Sequence, residues 1–434
     1  MPYSTDTRTL QPGDTYVAIR GETHDGHAFI PQAIEKGATA VVTEVNVDVP
    51  AHVEVVRVER SLDYLIEQAR EKVRRIGPDI VAITGSMGKT STKMAVLAVL
   101  REGFDVVASE GNKNTPLGLS LLLLNRDFSA DTKLVLEMGA RLPGDLRELC
   151  EYFPPTVSVI TVVRGVHVET LGSIDGVQRE KSELVRALGP DGTACLNGDD
   201  PRVLAMRDVN RGRTITYGTD AACDVRPDRI TATLPMLGEH AVSTALAAFA
   251  AGLAFGMLDE AINRGLSRIE TEKGRLNRLD GRNGSTLIDD TYNASPDATR
   301  AALRVLAAQD GTRRIAFLGD MLELGETEVE QHAEVLAAAI ESADTVHAVG
   351  SIMARAAETL SAEQRARITL HPRSGTLADA IRDGRAYEPE PGDVVLVKGS
   401  QGTRMERISE ALLHPDLAPE DVLPRQSESW KQIA

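Results

Sequence analysis

The sequence predicts an α/β protein with parallel sheets and more than one domain. Short apolar runs typical of buried strands alternate with segments of helical periodicity, and this alternation restarts after Gly274. Strands separated by helices of roughly 10 to 15 residues indicate parallel sheets with right-handed crossovers. The chain has 434 residues, which is more than one ordinary hydrophobic core requires, so two or three domains are expected.

The elements can be predicted in chain order from these patterns. The first clear strand, Ile80–Ile83, leads through a glycine turn into a helix over Ser91–Arg101. Further strands are predicted at Leu134–Leu136, Val157–Val163, Thr193–Leu196, Ser285–Ile288, Arg314–Leu318, Thr345–Val349 and Asp393–Val397. Helices are predicted at Gly176–Leu188, from Pro296 onward and at Thr327–Ser342. The most apolar runs are shorter than the about 18 residues that a membrane span needs, and they indicate buried helices at Leu117–Leu124 and Ala245–Leu253.

The composition argues against several classes of protein. The chain carries 48 Lys and Arg against 64 Asp and Glu, a formal net charge of −16, and it has no segregated basic run. Such a chain repels a phosphate backbone, so nucleic acid is not an expected partner. The three cysteines, Cys150, Cys195 and Cys223, are far apart and predict neither a disulfide framework nor a zinc site. No secretory signal or membrane span is visible, so the reducing cytoplasm is the expected location.

The segment Thr84–Ser91, with the sequence TGSMGKTS, is the strongest local signal. Its two glycines let backbone N–H groups approach phosphate oxygens, and Lys89 supplies a positive charge for the β- and γ-phosphates. The hydroxyl of Thr90 suits Mg²⁺, and the helix that begins here adds its positive dipole end. Ile83 stands where the strict motif has its first glycine, so a chance glycine turn between strand and helix is the alternative.

This segment resembles the phosphate loop of the Mur ligase family, whose members are ATP-dependent ligases that build the stem peptide of peptidoglycan. The similarity extends over nearly the whole chain. Segments that also fit the family are Asp6–Arg8, residues 12–33, Gly111–Gly118, Leu136–Asp145 and His167–Ser173. Three segments in the carboxy-terminal third resemble the branch that adds D-Ala-D-Ala, namely Ile288–Pro296, Leu318–Gly325 with His332, and Val397–Gln401 followed by Arg404–Glu406.

The resemblance implies a three-domain architecture with a central P-loop parallel sheet. A UDP-substrate-binding domain is expected over residues 1–77, an ATP-binding domain over 78–270, and a Rossmann-like domain that binds the incoming dipeptide over 271–434. The implied reaction joins D-Ala-D-Ala to UDP-N-acetylmuramoyl tripeptide through an acyl phosphate, with ATP and Mg²⁺. A monomer is expected.

The resemblance also assigns expected roles to individual residues. The catalytic residues would be Lys89, Lys181, His167, Arg275 and Asp290. The nucleotide would be bound by Thr84, Gly85, Ser86, Met87, Gly88, Lys89, Thr90, Ser91, Asn197, Asp199, His240 and Arg275. The Mg²⁺ ligands would be Thr90, Glu137, His167 and, if carbamylated, Lys181. The substrates would be bound by Thr7, Arg8, His24, Asn112, Asn114, Thr115, Asn293, Ser295, Asp320 and Lys398.

Two other functions stay open at this stage. A Mur-type ligase could join a different carboxylate and amine, an alternative favoured by an amino-terminal domain shorter than is usual in the family. A catalytically weak nucleotide-binding scaffold is favoured by Val162, Ala241 and Thr244, which stand where the family has asparagine. The sole tryptophan, Trp430, lies in the tail after His414, which is either a frayed end or a docked anchor.

Overall fold

The computed structural model describes residues 2–21, 24–111, 113–165 and 168–431. Within these residues the chain forms three sheets, and the predicted α/β class is confirmed. The chain divides into two compact units, residues 1–233 with 243–268 and residues 234–242 with 269–434. The first unit contains two of the sheets and the second contains the third.

The amino-terminal domain is built on a four-stranded parallel sheet in the order β1-β2-β3-β4. Its strands are β1 (Tyr3–Ser4), β2 (Thr15–Val17), β3 (Ala40–Thr43) and β4 (Glu54–Arg57). Its helices are α1 (Ile30–Glu35) and α2 (Ser61–Ile76). Helix α2 is amphipathic and buries Leu65, Ile66, Ala69 and Val73, which are spaced for one helical face.

The central domain has a six-stranded, all-parallel sheet in the order β10-β9-β8-β5-β7-β6. Its strands are β5 (Asp79–Thr84), β6 (Val106–Ala108), β7 (Lys133–Glu137), β8 (Val157–Ile160), β9 (Thr193–Asn197) and β10 (Arg213–Tyr217). Its helices are α3 (Lys89–Leu100), α4 (Pro116–Asn125), α5 (Asp145–Tyr152), α6 (Val168–Leu171), α7 (Ile174–Arg186), α8 (Pro201–Leu204), α9 (Glu239–Ala254) and α10 (Asp259–Leu266).

Strand β5 lies in the middle of this sheet because its run of apolar residues can be buried on both faces. The chain passes from β5 to the β6–β7 side and then crosses to β8 on the other side. Ligands of open α/β sheets bind at the carboxyl ends of strands where the order reverses in this way. Thr84, Glu137 and Asn197 end β5, β7 and β9 at that edge.

The carboxy-terminal domain has a six-stranded mixed sheet in the order β11-β12-β16-β13-β14-β15. Its strands are β11 (Asn277–Asp280), β12 (Thr286–Asp290), β13 (Arg313–Gly319), β14 (Thr345–Val349), β15 (Ile368–His371) and β16 (Asp393–Lys398). Its helices are α11 (Pro296–Ala307), α12 (Glu328–Ser342), α13 (Ser351–Glu358), α14 (Ala362–Arg365), α15 (Ser374–Arg382), α16 (Glu406–Leu412), α17 (Pro419–Val422) and α18 (Glu428–Lys431). Only the edge strand β11 pairs antiparallel with its neighbour among the strand pairs of the described residues.

The elements predicted from the sequence are confirmed to within a few residues. The largest difference is at α9, which begins at Glu239 rather than at the predicted Ala245. At β8 the predicted strand runs on to Val163, but the structure leaves the sheet after Ile160. The cysteines Cys150, Cys195 and Cys223 are buried and have free thiols. No helix in the described part of the chain is long and apolar enough to cross a membrane.

Candidate functional site

The phosphate loop joins the end of β5 to the start of α3 and is fitted closely to the segment after β8. A Cβ at Gly85 would lie 1.8 Å from Thr161 Oγ1, so only glycine fits there without displacement. The Ser86 amide donates to Val162 O at 2.8 Å, and Ser86 Oγ accepts from the Arg164 amide at 2.9 Å. These bonds hold the loop in one shape before any ligand is bound, which reduces the ordering cost of binding.

Lys89 and Thr90 are the first two residues of α3, and their side chains are already engaged. Lys89 Nζ donates to Gly85 O at 2.9 Å, which folds its ammonium back over the loop. Thr90 Oγ1 donates to Glu137 Oε2 at 2.9 Å. A helix start that carries a lysine favours negative charge, so the predicted phosphate-binding chemistry is physically consistent here.

Glu137 is the centre of a buried polar cluster at the end of β7. Its side chain is 3% exposed, and its second oxygen accepts from Asn114 Nδ2 at 3.1 Å. Lys93 Nζ lies 4.0 Å from Glu137 Oε2 and donates to Gly111 O at 3.0 Å. The structure therefore brings Thr90, Asn114 and Glu137 together as predicted residues, and adds Lys93 to them.

Lys93 was not predicted as a site residue, although its spacing from Lys89 in the sequence could have indicated it. Lys93 follows Lys89 by four residues, so both lie on one face of a helix that begins at the loop. A lysine that is 1% exposed needs a compensating carboxylate, and Glu137 fills that role. Lys93 anchors the Gly111 end of the predicted substrate loop to the same cluster.

Lys181 lies on α7 and is 5% exposed. Burial and, to a smaller extent, the nearby Lys89 ammonium lower the pKa of Lys181 to about 7, while Glu180 acts in the opposite direction. Glu180 is itself occupied, because it accepts from the amides of Gly144 at 2.7 Å and Leu146 at 2.8 Å. A lysine with this pKa is substantially neutral at physiological pH and is a nucleophilic amine.

A second polar cluster lies in the carboxy-terminal domain, where β12 and β16 are neighbours. Lys398 Nζ donates to Asp290 Oδ2 at 2.5 Å and to Asn293 O at 2.9 Å. The side chains of Lys398 and Asp290 are only 2% and 9% exposed. The structure thus brings together three predicted residues, Asp290, Asn293 and Lys398. The charges of Asp290 and Lys398 balance each other.

Next to this cluster, Asp289 is fully buried and behaves differently. Burial raises the pKa of Asp289 to about 7, against the opposing effect of hydrogen bonds from Ser409 and Thr291. Both hydroxyls donate to Oδ1, at 2.6 and 2.9 Å, whereas Oδ2 has no partner. This geometry suits a protonated carboxyl group whose proton is on Oδ2.

Several predicted site residues have well-defined structural bonds. Asn197 donates to Thr161 O at 2.8 Å, and Asp199 accepts from the Thr219 and Asp220 amides. Asp320 accepts from the amides of Ile352 and Met353 at the start of α13. Thr115 and Ser295 cap α4 and α11 through their hydroxyls. These bonds position the residues, and their predicted ligand contacts stay predictions.

The predicted UDP-binding residues belong to the amino-terminal domain. Thr7 Oγ1 donates to Gln32 Oε1 at 2.8 Å, and Arg8 is 76% exposed while paired with Asp6 at 2.7 Å. His24 is exposed, and its carbonyl accepts from the Gly21 amide at 2.9 Å.

Two predicted nucleotide-binding residues, His240 and Arg275, lie in the second compact unit. His240 is on the first turn of α9, and the Arg275 guanidinium lies 4.1 Å from the centre of the Tyr292 ring. His167 and Asn112 lie outside the described residues.

The donor set around Glu137 fits Mg²⁺. A buried carboxylate oxygen and a hydroxyl 2.9 Å apart are hard oxygen ligands from two different elements. No group of three or more His, Cys, Asp or Glu side chains that could hold a metal occurs among the residues that the structure describes. Mg²⁺ is commonly bound by one or two protein oxygens together with phosphate and water, so a small donor set is sufficient.

The fold and the loop define a P-loop α/β protein, and comparison with known proteins specifies the family. Residues 83–252 match the Mur ligase middle domain, residues 274–401 the glutamate ligase domain of Mur ligases, and residues 3–78 the Mur ligase family catalytic domain.

Similar proteins include two curated ligases and one solved structure. The UDP-N-acetylmuramoyl-tripeptide–D-alanyl-D-alanine ligase of Bacillus subtilis is 31% identical, covering 96% of this chain and 93% of its own. The ligase of the same name from Synechocystis is 37% identical over 74% of this chain and 73% of its own. The structure of the MurF ligase from Thermotoga maritima in complex with ADP has a TM-score of 0.80 at 27% identity, covering 94% of this chain and 96% of its own. The chain therefore belongs to the Mur ligase family.

Proposed function

We propose that this protein is an ATP-dependent amide ligase that adds D-Ala-D-Ala to UDP-N-acetylmuramoyl tripeptide in peptidoglycan precursor synthesis. The observation that carries the proposal is the grouping of Lys89, Thr90 and Glu137 where β5 and β7 end beside the loop. The curated ligases of B. subtilis and Synechocystis bear the name of this reaction, and the T. maritima structure contains ADP.

The reaction begins with phosphoryl transfer. A carboxylate oxygen of the tripeptide attacks the γ-phosphorus of ATP, the bond to the β–γ bridging oxygen breaks, and ADP leaves with that electron pair. Lys89 and the backbone N–H groups of the loop stabilise the charge on the phosphate oxygens during this step. Because the loop backbone is already held by the segment after β8, less ordering of that backbone is required on binding.

Mg²⁺ would be held by Thr90 and Glu137, with His167 as a further predicted ligand, and it supplies charge neutralisation for the phosphates. Lys181 is proposed to react as a neutral amine with CO₂, losing one proton and becoming a carbamate. Its pKa of about 7 supports this proposal, because the ordinary lysine ammonium cannot react in this way. The product would carry a negative charge close to Lys89.

The second step is attack of the dipeptide amine on the acyl phosphate. The dipeptide ammonium first loses one proton, and the neutral amine forms the new C–N bond. The C–O bond to phosphate breaks with its electron pair on phosphate, and the nitrogen gives up a second proton to phosphate or water. D-Ala-D-Ala is a zwitterion with one ammonium and one carboxylate, so it matches the balanced pair Asp290 and Lys398 in charge. We propose that these two residues, with Asn293, Ser295 and Asp320, bind the dipeptide, and that Arg275 contacts the nucleotide.

The amino-terminal domain is proposed to bind the UDP end of the tripeptide through Thr7, Arg8 and His24. The location is proposed to be the cytoplasm, where ATP is available and where the free thiols of Cys150, Cys195 and Cys223 stay reduced. The protein is proposed to act as a monomer.

The test is a coupled assay with defined substrates. With UDP-muramoyl tripeptide, Mg-ATP and D-Ala-D-Ala, one phosphate should be released for each pentapeptide detected by mass spectrometry, and free D-Ala should be a poor acceptor. Phosphate release only with another carboxylate and amine would replace the proposed substrates. Binding of ADP without turnover on any pair would instead favour a nucleotide-binding scaffold.

A further inference from the structure

The last thirteen described residues form a segment that returns to the start of the carboxy-terminal domain. We call residues 419–431, which contain α17 and α18, the C-terminal strap. Lys273 Nζ donates to Glu420 O at 2.5 Å. At Gly274, whose φ is +77°, an added Cβ would lie 3.0 Å from Pro424 Cγ and 2.9 Å from the Tyr292 amide nitrogen. The strap is therefore packed against the backbone that leads into Arg275.

Arg425 is the centre of the strap, and its side chain is only 6% exposed. Its guanidinium donates to Thr291 O from both terminal nitrogens, at 3.0 and 2.9 Å, and also to Tyr292 O. The same group pairs with Glu406 Oε2 at 2.9 Å. Thr291 and Tyr292 connect Asp290 to Asn293, so Arg425 fixes the backbone on which two proposed dipeptide-binding residues lie.

The ring of Tyr292 connects Arg425 with Arg275, because both guanidinium groups contact it. The Arg275 guanidinium lies 4.1 Å from the Tyr292 ring centre, and the Arg425 guanidinium lies 5.7 Å from the same ring centre. Both distances are within the range of a cation–π contact. The Arg275 Nε is buried and has no hydrogen-bond partner, and the Tyr292 ring contacts the same guanidinium.

The end of the strap is held by a second arginine. Arg404 Nη1 donates to Trp430 O at 2.7 Å, and its guanidinium lies 5.4 Å from the indole ring centre. Glu406, which is 1% exposed, pairs with Arg404 and with Arg425. Both arginines have left-handed backbone conformations, with φ of 55° and 57°. Long side chains avoid this region unless the surroundings impose it.

We propose that the C-terminal strap is a positioning element of the ligase site and that Arg425 is its positioning residue. Arg425 acts through Thr291 and Tyr292, and it orders Asp290, Asn293 and Arg275 before the substrates bind. An arginine that is already ordered loses less entropy when it contacts the reacting groups. The catalytic part of this proposal rests on the proposed function, whereas the ordering part does not.

The ordering part is tested by hydrogen–deuterium exchange of the full chain. In Arg425→Met, the amides of residues 288–294, including that of Tyr292, which donates to Gly274 O at 3.0 Å, should exchange at least tenfold faster than in the wild type. Trp430 is the sole tryptophan, so its emission reports whether the strap stays docked, and it should shift to longer wavelength. The matched control is Arg385→Ala, which removes an exposed arginine paired with Asp383 in the same domain. Unchanged exchange in residues 288–294 would overturn the proposal whatever the activity.

The catalytic part is tested by steady-state kinetics on the same variants. In Arg425→Met, kcat/KM for D-Ala-D-Ala should fall at least tenfold, while KM for the UDP-tripeptide stays within twofold of the wild type. Arg425→Lys should recover part of the loss, because lysine keeps the charge opposite Glu406 but lacks the planar group that reaches two carbonyls. Kinetics within twofold of the Arg385→Ala control, with the strap displaced, would contradict a positioning role.

Two further results keep the test decisive. If Arg425→Met does not fold, Arg425→Lys and Trp430→Leu replace it, and faster exchange in residues 288–294 is still expected of both. If the wild-type protein releases no phosphate with the stated substrates, the proposed function fails, and the exchange experiment still decides whether the strap orders residues 288–294.

Discussion

The two polar clusters of this protein differ in their charge balance. Around the phosphate loop, Lys93 lies 4.0 Å from Glu137 and Lys181 lies near Lys89, while Glu180 accepts from backbone amides. In the carboxy-terminal domain, Asp290 and Lys398 pair one to one. The first cluster groups several lysines beside a helix start, which suits a polyanion, whereas the second is a neutral pair, which suits a zwitterion.

Each cluster also has beside it a buried group with a shifted pKa. Lys181 loses its proton more readily than an ordinary lysine because it is buried near Lys89. Asp289 keeps its proton more readily than an ordinary aspartate because it is fully buried. The charges of two sites can thus be compared only when the protonation of their buried groups is included.

The largest effect is expected at the phosphate loop. Lys89→Ala removes a charge proposed to stabilise the transferred phosphate, which costs on the order of 3 kcal/mol in the transition state, or roughly a hundredfold in kcat. Phosphate release measures this loss. Arg147→Ala removes an exposed cation from the same domain and should leave the rate unchanged. Near-wild-type turnover of Lys89→Ala would mean that this loop does not bind the transferred phosphate.

A somewhat smaller loss, about tenfold to a hundredfold, is expected for Lys181→Met, because the proposed carbamate would be lost with the amine. With ¹³C-labelled bicarbonate, the wild type should give a carbamate carbon signal that is absent from the variant. Since the folded-state pKa of about 7 lies below the usual lysine value of 10.5, the unfolded chain binds more protons between these limits. The free energy of unfolding of the wild type without the carbamate should therefore rise from pH 7 to pH 10. It should rise less over this range in Lys181→Met. A wild type without a carbamate signal would contradict this role of Lys181.

The balanced cluster should respond in a different way. Asp290→Asn or Lys398→Met leaves one buried charge unpaired, which costs about 3 kcal/mol of stability, and KM for D-Ala-D-Ala should rise about tenfold. The double variant should regain most of the stability without regaining the low KM. Urea unfolding and dipeptide titrations measure the two quantities separately. Recovery of the low KM in the double variant would mean that the pair is purely structural.

The smallest effect is expected from Asp289→Asn, which should change stability with little change in rate. The folded-state pKa of Asp289, about 7, lies above its usual value of 3.8, so the folded state binds more protons between these limits. Stability of the wild type should therefore fall as the pH rises from 4 to 7, by at most about 4 kcal/mol. The asparagine variant should show a flatter profile in urea unfolding. An identical profile in both proteins would mean that Asp289 is ionised throughout.

The sequence predicted features that depend on local pattern and missed those that depend on contacts between distant residues. The loop from Gly85 to Thr90 is contiguous, so its shape could be predicted from glycine and helix-start chemistry. Lys181 could be singled out, but its low pKa arises from burial near Lys89 in the folded domain. The pairing of Arg425 with Glu406 and of Lys93 with Glu137 requires knowledge of which helix packs where.

The same limit applies to the fold. The apolar strands β5 and β16 could be predicted because they are buried on both faces and contain continuous hydrophobic runs. The strand β11 was missed because it is an edge strand with polar residues, and its antiparallel direction follows from its short connection to β12. The alternative of a docked Trp430 was left open because an arginine pocket cannot be recognised from a single tryptophan in the sequence.

The order of strands in the carboxy-terminal sheet has a consequence for synthesis of the protein on the ribosome. Strand β16 is the last of its sheet to be translated, yet it lies between β12 and β13. Until Lys398 has left the exit tunnel, these two strands have no common partner and expose unpaired edges. The nascent domain is thus expected to complete its folding only near the end of translation, and a chain stopped before Asp393 should be a substrate for chaperones and prone to aggregation.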